Sequence, residues 1–248
     1  PAVENDAVLQ PSSRVLLDPE RDLYGGVLFH KGRFRRLRGY RRLMATECMA
    51  EISPGEGAPW FGRYLPVELV LGDPGARDAS VHAIQPCIPH ARILPVGVDR
   101  VRISMTDVAG PRFVRARERT REGDLFIYDL VVTRADGVVC ERWDGLRLQV
   151  VEGTGPPETW IEPLLGPYLE RRLGELISGA GVRVFVERLA AADRRAQSDH
   201  AIQQLLQMSE PIRYRPDGKP DTAPDGRAVS AAHAGELTLA VAGSGLLG

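Results

Sequence analysis

The 248-residue chain predicts an α+β fold: an antiparallel sheet wrapped around one short helix, then a smaller α+β segment. Three observations predict it. Alternating runs and a strong hairpin signal fill the first 150 residues. One stretch among them, RDASVHAIQPCIPH at 77–90, pairs a helical apolar stripe with a proline that must end it. After a leucine-rich helical stretch at 159–177, the order changes to strand, helix, loop and strand.

Residues 1–20 are polar and aperiodic and read as linker. GVLFHKGRFRRLRGYRRLMATECMAEIS (26–53) leans towards strand in its second half, and the glycine- and proline-rich 53–66 reads as loop. RVRISM places Val101, Ile103 and Met105 on one face of a strand. DLFIYDLVVTR and VVCERWDGLRLQVV flank Ala-Asp-Gly at 135–137, a hairpin signal. Leu165, Leu169, Leu173 and Ile177 recur every four residues and predict a helix with that apolar face. A boundary falls at the Gly/Ala run after residue 178. Beyond it, VRVFVERL predicts a strand, residues 193–208 a helix, RPDGKPDTAPDG a loop and ELTLAVAG a strand.

Bulk properties exclude several classes. A net charge of −1 supplies no general attraction to nucleic acid or an anionic membrane. No apolar run approaches the roughly 20 residues of a membrane span. Cys48, Cys87 and Cys140 are scattered and odd in number, which suits a reducing cytoplasm and neither a disulfide framework nor a metal site. The chain starts at Pro1 without a signal peptide, and both ends read as cuts through a longer polypeptide.

Asp78 and His82 lie four residues apart, so their side chains can meet on one helix face. Aspartate is a favoured N-cap, and the spacing predicts a helix over 79–85 that Asp78 caps, with Val81, Ile84 and Ile88 as its apolar stripe. Pro86 lacks an N–H and clashes with the carbonyl of residue 82, so the helix ends or kinks there. The bland reading of Asp78 is a cap; the sharper one is an acid aimed at a substrate.

LFHKGRF (28–34), the Asp78/His82 pair and HAIQPCIPHARILPVGV together resemble polyketide synthase dehydratase domains over about residues 20–175, the last stretch resembling the iterative enediyne type. Lys31 interrupts the family's usual His-Gly pair, and Pro86 replaces a helix former. The resemblance implies a double hotdog, two sheets each wrapped round a helix, with residues 21–178 as the second half. It implies syn removal of water from a β-hydroxyacyl chain on an acyl carrier protein. A histidine takes the α-proton and Asp78 protonates the leaving hydroxyl, each group contributing roughly 100- to 10,000-fold. A helix N-terminus favours the carboxylate, whereas burial in an acyl tunnel favours the acid. His82 sits with the substrate-binding groups and orients Asp78. The implied base belongs to a His-x-x-x-Gly-x-x-x-x-Pro motif that none of His30, His82, His90, His200 and His233 fits, so it is expected upstream.

RPDGKP and SAAH, at 215–220 and 230–233, resemble the first motif of surfactin-type phosphopantetheinyl transferases. That resemblance covers 181–248 and implies that 179–248 begin a truncated transferase domain. Arg215, Lys219 and His233, the last placed before a strand, would bind coenzyme A phosphates, which suits cations. Magnesium carboxylates would follow later in the family's pattern. The expectation is a cytoplasmic fragment of a homodimeric synthase, inactive alone, whose partners are the carrier protein and the remaining domains, with no nucleic acid and no membrane. Rival readings are a non-catalytic hotdog that binds acyl chains or docks the carrier protein, and a hotdog thioesterase.

Overall fold

The computed structural model describes residues 14–55, 60, 69, 72–104, 110–153, 160–177, 181–188, 193–221, 223 and 226–244. Met105 and much of the 53–66 loop lie outside them. A seven-stranded sheet is built from β1 (Leu37–Leu43), β2 (Glu47–Ile52), β3 (Ala91–Gly97), β4 (Arg100–Ile103), β5 (Arg112–Glu122), β6 (Leu125–Arg134) and β7 (Val139–Gly153). Its order is β1-β2-β5-β6-β7-β3, with β4 also on β7, and every pairing is antiparallel.

Alternation sets the inner face. Phe126, Tyr128, Leu130 and Val132 of β6 are all buried, because successive strand side chains point to opposite faces. The expected hairpin is present: Gly137 turns between β6 and β7 at φ 83°, and its N–H donates to the Arg134 carbonyl at 3.0 Å. Glycine takes such a positive φ at little steric cost.

Helix α1 (Pro74–His82) lies in the hollow of this sheet and shares its core through Ala76, Ala79 and Ala83. Its start corrects one expectation. Asp73, not Asp78, is the N-cap: its carboxylate accepts the Gly75 N–H at 2.9 Å, and Pro74 follows in the first turn. Proline is preorganised there and sacrifices no needed donor. Asp78 therefore sits inside the helix, away from its N-terminal field. The C-terminal end also comes early. Pro86 belongs to a 3-10 turn over Gln85–Cys87, and the Cys87 N–H reaches only to Ile84. The Ala83 carbonyl, freed of a helical partner, accepts the Tyr40 hydroxyl at 3.0 Å. Of the expected stripe, Ile84 and Ile88 are fully buried and Val81 partly.

Two more expectations shift. The linker over 1–20 is structured from Val15, whose N–H donates to the Tyr40 carbonyl; Leu17 joins the core, and a π-turn occupies Pro19–Leu23. Helix α2 (Glu162–Leu176) forms, but Leu165, Leu169 and Leu173 are only half-buried and Leu176 and Ile177 exposed. Its buried face holds Leu164, Pro167, Glu170 and Arg171.

Beyond α2, β8 (Arg183–Arg188), β9 (Ala228–Ala234) and β10 (Leu237–Gly243) form an antiparallel sheet in the order β8-β10-β9, and α3 (Arg194–Leu206) packs on it through Ala201, Ile202 and Leu205. Helix α2 touches this unit too: the Glu170 carboxylate accepts the Val184 N–H at 2.9 Å. No helix among the described residues is long and apolar enough to cross a membrane.

Candidate active site

A cavity of about 550 Å³ opens beside the C-terminal half of α1. Leu28, Phe29, Phe34, Ile93 and Leu148 give it an apolar wall, and Asp78, His82, His30, Lys31 and Gln85 its polar groups. Four parts of the chain meet there: α1 with the turn that follows it, the segment that leads into β1, β7 through Leu148, and β3. Gln85 holds the last of these in place. Its amide donates to the Ile88 and Ala91 carbonyls at 3.1 and 2.7 Å, and its oxygen accepts the Ile93 N–H at 3.1 Å.

Because Asp78 and His82 are one turn apart, Asp78 Oδ2 lies 3.1 Å from His82 Nδ1. His30 arrives from the LFHKG segment and places Nε2 3.3 Å from the same oxygen. The Asp78 side chain is 37% exposed, so it faces the cavity while its histidine partners are largely covered. No hydrogen bond to Oδ1 forms among the described residues. The two imidazoles stack at 3.9 Å, and Phe29 stacks on His30 at 4.4 Å. Burial pushes the His30 imidazolium down to about 4, with His82 adding to the shift and Asp78 opposing it. His30 is thus neutral at pH 7, and its Nδ1 is buried without a partner.

Ligand atoms of His30, Asp78 and His82 lie within 4.8 Å of one another, which raises the question of a metal. Imidazole lone pairs lie in the ring plane, however, and these rings are stacked with only 30° between planes. Two such lone pairs do not converge on one ion at the roughly 2.0–2.1 Å of a zinc–imidazole bond. Of the two imidazoles, His82 is the one that meets Asp78 with hydrogen-bond geometry.

The structure thus joins Asp78 to His82 as expected from their spacing and adds His30, which the sequence offered only as part of a motif. Tyr24, whose hydroxyl lies 3.2 Å from His82 Nε2, carried no sequence signal. The other three expected residues are arranged differently. Arg215 and Lys219 face each other across a tight turn, with the Arg215 N–H donating to the Lys219 carbonyl at 2.9 Å; both side chains are exposed. Arg215 lies 3.8 Å from Asp217. His233 lies inside β9 and precedes the expected strand, β10. Its Nε2 meets Ser198 Oγ at 2.9 Å and its Nδ1 meets Thr238 Oγ1 at 3.1 Å, so both nitrogens are engaged. Among the described residues no hydrogen bond or ion pair links His233 to Arg215 or Lys219.

The family model described as polyketide synthase dehydratase N-terminal domain matches residues 1–158. No curated protein matches. Among solved structures the chain is similar to the dehydratase domain of a mycocerosic acid synthase-like polyketide synthase, at 23% identity, over 59% of this chain and 50% of that one, with a TM-score of 0.44. It is also similar to the dehydratase domain from the CurJ module of Curacin polyketide synthase, at 13% identity over 50% and 44% of the two chains, TM-score 0.41. A third is the dehydratase domain of RzxB from Pseudomonas fluorescens, at 18% identity over 48% and 42%, TM-score 0.39. The chain spans about half the length of these structures.

Proposed function

We propose, because this chain belongs to the polyketide synthase dehydratase family, that its cavity receives a β-hydroxyacyl chain from an acyl carrier protein and that Asp78 is the acid of the dehydration. One observation carries this reading: Asp78 faces a largely apolar cavity with one oxygen hydrogen-bonded to His82, and no hydrogen bond to its other oxygen forms among the described residues. A carboxyl held in that way can present its proton from Oδ1. The leaving hydroxyl takes that proton as its C–O bond breaks. The α-proton goes to a base, the C–H electrons form the new double bond, and water departs. Acid and base must both be in reach for such a step to gain its rate.

The matched model is described as the N-terminal domain, whereas Asp78 and His82 favour the second, acid-bearing hotdog half. We assign residues 21–178 to that half, as in the enediyne-type synthases, and take the base from the first hotdog half, upstream in the same homodimeric synthase. The carrier protein is then the partner that delivers substrate.

Asp78→Asn in the intact synthase tests the reading. Asparagine is nearly isosteric but has no acidic proton. The expected result is a loss of dehydration on the order of 100-fold or more, with β-hydroxyacyl intermediates accumulating on the carrier protein by mass spectrometry. Normal yields of dehydrated chains would end it.

For residues 179–248 a transferase fragment is the proposal, supported by the Arg215/Lys219 turn. Two exposed cations on one turn suit a coenzyme A phosphate. His233 fits less well, since Ser198 and Thr238 occupy both its nitrogens. Titrating the chain with coenzyme A, with and without magnesium, checks it: Arg215→Ala should weaken binding more than His233→Ala, and no binding at all would remove the proposal.

A further inference from the structure

We propose that Tyr24 is a positioning residue that fixes the tautomer of His82, so that Nδ1 carries the proton donated to Asp78 Oδ2. This deepens the dehydration reading and rests on it. Tyr24 precedes a tight turn at Gly25, which has φ 93°, and the turn runs directly into the segment that carries His30. The Tyr24 hydroxyl oxygen accepts the Leu37 N–H at 3.0 Å. A peptide N–H can only donate, so the phenol's own proton must point elsewhere. Among the described residues, the acceptor in reach is His82 Nε2, at 3.2 Å.

A neutral imidazole has one N–H and one lone pair. The hydrogen bond at one nitrogen decides what the other carries. If Nε2 accepts from Tyr24, the proton is on Nδ1, which lies 3.1 Å from Asp78 Oδ2. The donors then run one way, from the β1 backbone through Tyr24 and His82 to the carboxyl. Tyr24, Leu37 and His82 are each at most 7% exposed, so solvent competes little for these bonds. Burial raises the Tyr24 hydroxyl above its usual value, against the pull of the Leu37 and Arg36 N–H groups and of Arg35, so it stays a donor.

The opposite tautomer fails on the same geometry. Nε2–H and the Leu37 N–H would both point at the phenol oxygen and leave the Tyr24 proton without an acceptor. The Nδ1 lone pair would then face Asp78 Oδ2, and only a proton on Oδ2 could relieve that contact. Such a proton points at His82 and not at the substrate. With Nδ1–H in place, Oδ2 is an acceptor in both states of Asp78, and the transferable proton belongs on Oδ1, the oxygen free for the cavity.

The test is nitrogen-15 NMR of this chain with labelled histidines near neutral pH. The expected wild-type spectrum has His82 protonated at Nδ1 and bare at Nε2. Tyr24→Phe keeps the ring and should move both nitrogens towards a tautomer mixture. In the intact synthase, Tyr24→Phe should lower the dehydration rate on the order of tenfold. In a His82→Gln background, whose amide donates to Asp78 whatever Tyr24 does, adding Tyr24→Phe should change the rate by no more than about twofold. A wild-type His82 protonated at Nε2 overturns the proposal even if the variant does not fold. So does an unchanged His82 spectrum in Tyr24→Phe. The spectrum needs no turnover. An Nδ1–H His82 in the wild type, beside an Asp78→Asn synthase that still dehydrates, would reject the proposed function and leave the tautomer assignment standing.

Discussion

His30 is 13% exposed and shares one oxygen of Asp78 with His82. Its depressed value, about 4 against an ordinary 6.5, links it to stability. Between these values the unfolded chain binds a proton that the folded chain refuses. Stability conferred by neutral His30 is therefore complete above about pH 6.5 and is lost as pH falls towards 4. Burial and, after it, Arg171 also lower His90, which contributes in the same direction. Urea midpoints of the wild type should fall across this window, and His30→Gln should flatten the slope to the part left by His90 and by carboxylates at its lower end, Glu47 and Glu175 acting in the same direction and Glu170, raised by burial, in the opposite one. Equal slopes would mean that His30 titrates as freely folded as unfolded. The same scale separates the two aspartates of α1. Asp73→Ala removes a cap and should cost about 1 kcal/mol. Asp78→Asn should leave the urea midpoint nearly unchanged while it abolishes the proposed acid.

At the scale of elements, the join between α1 and β3 depends on one side chain. Pro86 breaks the helical hydrogen bonding, and Gln85 then satisfies two carbonyls and one N–H of the chain as it turns back. Gln85→Ala should lower the unfolding free energy by about 2 to 4 kcal/mol, because buried polar groups lose their partners. Gln85→Glu should do no better, since a carboxylate cannot donate to the Ile88 and Ala91 carbonyls; urea denaturation measures both. Helix α2 shows why period alone misread a face. Its four-residue leucine spacing was sound as a helix signal. Which side is buried was settled by Arg171 and Glu170, whose partners lie on other elements.

Across the whole molecule, Arg171 ties α2 to the large sheet. Its guanidinium donates to the Ala45 and Cys87 carbonyls, to the Tyr128 hydroxyl and to Glu118 at 2.6 Å, and lies over the Phe126 ring. Glu170, its neighbour, holds the Val184 N–H of the second sheet. Arg171→Met should destabilise the chain by about 3 to 5 kcal/mol, as expected when one partner of a buried ion pair is removed. Arg171→Lys should recover little, because an ammonium cannot replace a planar fork serving four acceptors. Chemical denaturation checks both, and a wild-type-like Lys variant would show that charge alone suffices.

The sequence by itself determined the antiparallel sheet, the Ala-Asp-Gly hairpin, the break in helical bonding ahead of Pro86 and the meeting of Asp78 with His82. Each of these depends on neighbours within a few residues, where periodicity, turn chemistry and the helical repeat act directly. Asp73-Pro74 carries the chemistry of a helix start, a capping carboxylate followed by a proline in the first turn. Tertiary structure alone decided that His30 and Tyr24 join Asp78, that Arg171 and Glu170 are buried, and that His233 is occupied by Ser198 and Thr238. These contacts join groups far apart along the chain. A hydrogen bond needs its donor and acceptor within about 3 Å, and no local pattern can specify that when only the packing of sheet, helix and loop brings the atoms to that distance.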